Sequence, residues 1–199
     1  RSFGGGFFRC SRTGRQARNQ PSHSTGCNPV KAEQEMTEKS MLQKVYAQVD
    51  KLPTPLKTRA FTLLFGRAVK YFKTSGLKFE WIEPNHSIVV IKNRPYVQNH
   101  IGTVHAVAMI MIAESATGAL VGLNVPANAI PVIKRMEVDY RKRAAGDMRA
   151  EAMLTQEQIT MMQTEERGEV DVAVTITDGE SKEPIFVRAI WAWTPKRKG

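Results

Sequence analysis

Cysteine is nearly missing from this chain, and that absence bounds its chemistry first. The only two, Cys10 and Cys27, leave residues 28–199 with no disulfide framework and no cysteine metal site. A cytosolic or matrix compartment fits such usage. Histidine is scarce too: the four histidines contain no His-x-x-x-His pair, which makes a metal site improbable and leaves no cofactor to expect. Acid is absent from two stretches. None precedes Glu33, and none lies between Asp50 and Glu80, where seven basic residues stand. One apolar run, from Val104 to Leu123, reaches the roughly 20 residues a bilayer requires. Glu114 in its middle and six flanking strand patterns argue against a membrane span.

What remains reads as a globular protein. With 42% hydrophobic and 24% charged residues, wholesale disorder is excluded, and 199 residues suffice for one core. The net charge of +10 is uneven: residues 1–35 hold six basic and two acidic groups, leaving 23 basic against 17 acidic residues elsewhere. An excess of six is modest and does not support nucleic acid as a partner. Residues 1–35, rich in Gly, Ser, Arg and Asn, are set apart as an extension. They have the composition of a mitochondrial transit peptide. The alternative is artefactual sequence ahead of a start at Met36 or Met41. The compartment is accordingly cytoplasmic, or the mitochondrial matrix if the extension is a targeting signal.

Residues 36–199 are expected to form one domain, with helices in 36–76 and the core in 77–195. Apolar spacing predicts a helix over 37–51 capped by Thr37. A second, capped by Thr54 with Pro55 at its first position, runs to about Thr74 and buries Leu56, Ala60, Phe61, Leu64, Ala68 and Phe72. The acid-free basic helix could meet an anionic ligand or make peripheral contact with a membrane; a solvated face is the plainer reading. Leu77, Phe79 and Trp81 alternate ahead of a Pro84-Asn85 turn and the run Ser87–Lys92, a hairpin pattern. Strand patterns recur over 132–143, 148–154, 169–177 and 185–194. Thr155-Gln156-Glu157-Gln158 has the shape of a capping box for a short helix.

Between the hairpin and the later strands lies the apolar run, with small or apolar side chains on every side except at Glu114. A helix of that kind is wrapped by protein on all faces, and a carboxylate enclosed there requires a partner. The fold class is therefore α+β: about six antiparallel strands curled around one central apolar helix, with two extra N-terminal helices. Tight turns make consecutive strands neighbours.

Asn99-His100-Ile101-Gly102-Thr103-Val104-His105-Ala106-Val107, with Glu114 eight positions past Ala106, resembles the loop and helix of hotdog-fold acyl-CoA thioesterases of the phenylacetyl-CoA type. The subgroup with two added N-terminal helices is the nearest in outline. In that family the loop reads Asn-x-x-Gly-x-x-His-Gly-Gly and the helix carries Asp or Glu. Val138-Asp139-Tyr140 leading to Gly146-Asp147 matches a second family feature. The chain departs at Ala106-Val107, where the family has Gly-Gly, and near Ile133, where some members carry a hydroxyl.

The resemblance implies a hotdog fold, a homodimer or dimer of dimers with sites at the interface, and hydrolysis of an acyl-CoA thioester. Glu114 is the expected base or nucleophile, with Asn99 beside it. Gly102, His105 and the N–H groups of Ala106 and Val107 are expected to hold the thioester carbonyl at the helix N-terminus. Arg135, Arg141, Lys142, Arg143 and Arg149 are candidates for the phosphates of coenzyme A, Arg141 and Arg143 foremost. Met109, Met111, Phe61 and Phe72 are candidates for an acyl pocket suited to medium or long chains. His105 itself is read as ordering the loop. The alternative function is a non-catalytic acyl-CoA or lipid binder on the same fold.

Overall fold

A computed structural model describes residues 39–196; the 1–35 extension and Thr37 lie outside the described residues. The first helix, α1 (Met41–Val49), is capped by Ser40, whose hydroxyl accepts from the Gln43 N–H while the Gln43 side chain takes the Ser40 N–H. The same Gln43 amide donates to the carbonyls of Leu123 and Val125, which ties α1 to the end of the central helix.

The second helix, α2 (Thr54–Ala68), begins after Pro53, so Thr54 is inside the helix and is not its cap. It stops earlier than expected. Val69 leaves helical geometry (φ −104°, ψ 88°), and a short α3 (Lys70–Thr74) follows. Phe61 and Phe65 turn inward onto Phe72 and Phe79, with ring centroids 4.9 to 5.8 Å apart. That choice of face rotates Leu56, opposite them, into solvent, where it is 52% exposed; Ala68 at the helix end is exposed as well. Buried Lys57 bridges α1, α2 and the first strand, donating to Asp50 (2.7 Å), Glu83 (2.6 Å) and the Tyr46 hydroxyl (3.1 Å).

Strands β1 (Lys78–Glu83) and β2 (His86–Ile91) pair as a hairpin. A bulge between Phe79 and Trp81 shifts the alternation, so Ile82 takes the inner position expected of Trp81, which lies outside against His86. The central helix is α4 (Ala106–Asn124). After it come β3 (Ala129–Tyr140), β4 (Met148–Met153), α5 (Gln156–Thr164), β5 (Gly168–Asp178) and β6 (Ile185–Pro195). The Thr155–Gln158 capping box forms at the start of α5.

All six strands form one antiparallel sheet in the order β1-β2-β4-β5-β6-β3. Consecutive strands are not all neighbours: β3 pairs with β6 at the far edge, so β3 to β4 is a crossover and not a hairpin. Asp178 holds that crossover by accepting from the Ala145 N–H at 3.0 Å. The sheet curls over α4, which rests on β2, β4, β5, β6 and β3, with α1 and α5 at its flanks. Ser87 donates to the Ala116 carbonyl at 2.8 Å and the Trp191 indole donates to Thr117 at 2.9 Å, fixing the helix to the sheet. By length and composition α4 could cross a membrane, but 72% of its apolar window is buried inside the protein.

Candidate active site at the open face of the central helix

The loop before α4 is organised by Asn99. Its Oδ1 accepts from the N–H groups of Ile101 and Thr103 (both 3.1 Å), and its amide donates to Thr103 Oγ1 at 2.9 Å. Gly102 turns the loop at φ +77°, a conformation that favours glycine, and its carbonyl accepts from Asn93. Arg143 donates to the Ile101 carbonyl at 3.2 Å. The loop therefore consumes both Oδ1 lone pairs of Asn99 and anchors Arg143 beside it.

His105 is the N-cap of α4: its Nδ1 accepts from the Val107 N–H at 3.2 Å. One of the two expected oxyanion donors is thus engaged by the protein itself. The N–H of Ala106 has no acceptor among the described residues. The Tyr140 hydroxyl, from the end of β3, donates to the Ala106 carbonyl at 3.1 Å. Sequence spacing gave no sign of that contact, because β3 reaches the helix only by lying at the sheet edge.

The expectation that every face of α4 is buried fails at two positions. Val107 is 51% exposed and Glu114 is exposed, while between them Ile110 is half-buried and Met111 is covered by Ser75; Gly118, further along, is half-buried under the Trp191 ring. The sheet covers one side of the helix and α1 part of another, leaving Val107 and Glu114 open in the single chain. Glu114 is not an enclosed carboxylate.

Beside these positions runs a groove walled by the N-terminal helices. At its head, a cavity of about 410 Å³ is lined by Tyr71, Ser75, Tyr96, His105, Val107 and Ala108. Beyond Tyr71 it meets a second cavity of about 280 Å³, lined by Val69, Met111, Glu114, Ser115, Gly118 and Trp191 among others. A third, about 200 Å³ and apolar, shares Leu42, Phe65 and Val69 with the second. Gly118 has a structural reason: a Cβ there would stand 2.7 Å from the Trp191 ring. Of the residues expected to line an acyl pocket, Met111 does so; Met109, Phe61 and Phe72 are buried core. Ser115, Tyr71 and Trp191 were not anticipated, since only the packing of α2 and α3 brings them together.

The basic candidates separate. Arg135, at a second bulge after Ile133, lies on the outer face of the sheet, paired with Glu137 at 2.8 Å. Arg149 lies on that face too, on Glu151 at 2.6 Å, and Arg141 stacks over the outward Phe186. These three are turned away from the helix N-terminus. Lys142 follows β3, where its N–H donates to the Pro184 carbonyl. Arg143 alone of the set contacts the Asn99–Gly102 loop. Among the described residues no group of three His, Cys, Asp or Glu side chains is placed to hold a metal ion.

A family model for a domain of unknown function, DUF4442, matches residues 57–193. The chain belongs to the DUF4442 family. Similar solved structures include a Pseudomonas aeruginosa protein of unknown function described as a probable thioesterase, 28% identical (TM-score 0.63), covering 73% of this chain and 97% of that one. A Haemophilus influenzae thioesterase is 11% identical (TM-score 0.55), covering 67% of this chain and 90% of that one. A thioesterase family protein from Silicibacter pomeroyi is 12% identical (TM-score 0.56), covering 76% and 99% respectively. A comparison with curated proteins finds no match. This DUF4442 domain has the hotdog fold expected from its loop and central helix, and the matched span includes the Asn99–His105 loop and Glu114.

Proposed function

We propose that this DUF4442 domain is a thioesterase that hydrolyses an acyl-CoA thioester, with the acyl chain in the groove over α4. The carrying observation is that three neighbouring cavities, which share Tyr71 and then Leu42, Phe65 and Val69 in their walls, are lined in turn by the helix N-terminus, by Glu114 and by apolar side chains. The Pseudomonas aeruginosa protein, 28% identical and described as a probable thioesterase, supports that reading.

In this reading the N–H of Ala106, at the positive end of the α4 dipole, stabilises the oxyanion. Glu114 takes a proton from water or attacks the carbonyl itself. Ser115 beside it supplies the hydroxyl that is absent near Ile133. Eight residues of helix separate Ala106 from Glu114 by about 12 Å, too far for one thioester carbon. The two groups are therefore drawn from two copies of the chain related by a two-fold axis, the carboxylate of one beside the helix start of the other. The exposed Val107 and Glu114 and the edge of β3 are the surfaces such a homodimer, or a dimer of dimers, would cover. Arg143 is the basic residue placed to meet coenzyme A phosphates. Medium or long chains suit the length of the groove.

A second reading, an acyl-CoA binder without turnover, is favoured by one observation: His105 already occupies the Val107 N–H. Calorimetric titration with a non-hydrolysable thioether analogue of an acyl-CoA, run alongside hydrolysis of the parent thioester, separates the two. The thioesterase reading expects both binding and turnover. Binding without turnover establishes the second.

A further inference from the structure

We propose that the outward face of α2 and α3 seats this protein on an anionic lipid surface. The face was expected to be partly buried, and the structure turns it out. At 100° per residue, Leu56, Arg59, Leu63 and Arg67 fall within a sector of about 80°. Leu56 is 52% and Leu63 55% exposed, and Val69 and Tyr71 continue the apolar surface beyond the helix break. Arg59 and Arg67 lie in that sector, Lys51 precedes α2, and Lys70 and Lys73 lie on α3, all five exposed. None pairs with an acid among the described residues, and no acid occurs from residue 51 to residue 79. The one basic residue of the stretch that is paired, Lys57, points the other way into the protein.

Leucines gathered with cations on one exposed helix face make an amphipathic surface, which suits a partner that offers apolar and anionic contact together. Charge decides which partner. A second copy would set this basic face against itself, and the 1–35 extension, with six basic residues to two acidic, repels it as well. A nucleic acid would satisfy the cations and leave the leucines without a contact. A bilayer bearing acidic headgroups satisfies both: leucines enter the acyl boundary while the arginines and lysines meet phosphates. Seated this way, Val69 and Tyr71 place the groove mouth against lipid, where acyl chains concentrate. That consequence rests on the thioesterase reading; the seating does not.

The test therefore uses no thioester. The full chain is sedimented with vesicles of phosphatidylcholine alone and with phosphatidylglycerol added, at low and high salt. It is run for wild type, for Arg59→Glu with Arg67→Glu, and for Leu56→Ser with Leu63→Ser. Wild type is expected on the phosphatidylglycerol vesicles at low salt only, with each double variant weakened about tenfold or more. All four positions are exposed, and a circular-dichroism melt confirms that each variant is folded. As a second readout, the emission of Leu63→Trp is expected to shift to the blue on the same vesicles. No wild-type sedimentation, or binding by both double variants equal to that of wild type, overturns the proposal. Binding lost by the charge variant but kept by the leucine variant also overturns it, in favour of polyanion attraction such as nucleic acid.

Discussion

Two buried charged groups show how individual side chains hold the scaffold of the site. Asp178 accepts from the N–H groups of Ala145, Glu180 and Lys182 (2.9 to 3.0 Å), closing the crossover beside the Arg143 segment. Burial pushes its carboxyl up, but the N–H bonds from Lys182, Ala145 and Glu180 outweigh that and hold it below its ordinary 3.8. A folded-state value below the unfolded one contributes stability that is present above pH 3.8 and lost as pH falls through the folded value. Asp178→Asn should lower the melting midpoint at neutral pH and flatten its fall in acid, as a pH series of thermal melts would show. Lys57 works at the opposite end. Burial would lower its pKa, yet hydrogen bonds from its ammonium to Asp50 and Glu83 raise it. Lys57→Met leaves both carboxylates and the Tyr46 hydroxyl without their shared partner. The expected loss is about 1–3 kcal/mol in urea unfolding, with α1 and α2 loosening first under native-state hydrogen exchange.

At the scale of elements, the alternation of side chains made most strands and the central helix legible from the chain alone. The Asn99–Gly102–His105 loop and Glu114 were singled out by resemblance to a short contiguous motif. The structure shows Asn99 and His105 ordering that stretch and Glu114 exposed, not enclosed. Faces were harder. The bulges after Phe79 and after Ile133 each reverse which side of the sheet a residue meets, and periodicity carries no mark of either. That is why Trp81 lies outside. Arg135 keeps the outward side, with Glu137, that its alternation with Met136 and Val138 marks, and the bulge changes the faces only ahead of it. On α2 the expected face held at Phe61, Ala60 and Leu64 but not at Leu56 and Ala68. The reason is that Phe72 and Phe79 from two other segments pack on Phe61 and Phe65 and set which side turns inward. The position of β3 beside β6 was likewise hidden, since strand order depends on contacts remote in sequence. One packing detail gives a sharp prediction. Gly118→Ala places a Cβ 2.7 Å from the rigid Trp191 ring, whose indole is tied to Thr117. The ring must shift or the bond must break. The expected cost is about 1–3 kcal/mol in chemical denaturation, accompanied by a change in tryptophan emission.

For the molecule as a whole, the proposed chemistry asks more than one chain supplies. The helix N-terminus and Glu114 are about two turns apart on α4, and one copy leaves Val107 and Glu114 exposed. If the working unit is a dimer, turnover per subunit should fall on dilution, and its half-loss should coincide with dissociation followed by light scattering. Turnover that is constant while the protein becomes monomeric would place the whole site within one chain. The most direct test of the account is release of free thiol from an acyl-CoA series, acetyl to palmitoyl, by wild type and Glu114→Gln. The amide keeps the shape of the side chain and removes its basicity. The account predicts wild-type turnover that improves as the chain fills the groove, and its loss by about a hundredfold or more in a variant that remains folded and dimeric. Equal turnover by the two proteins would contradict it, and so would no turnover by wild type on any member of the series.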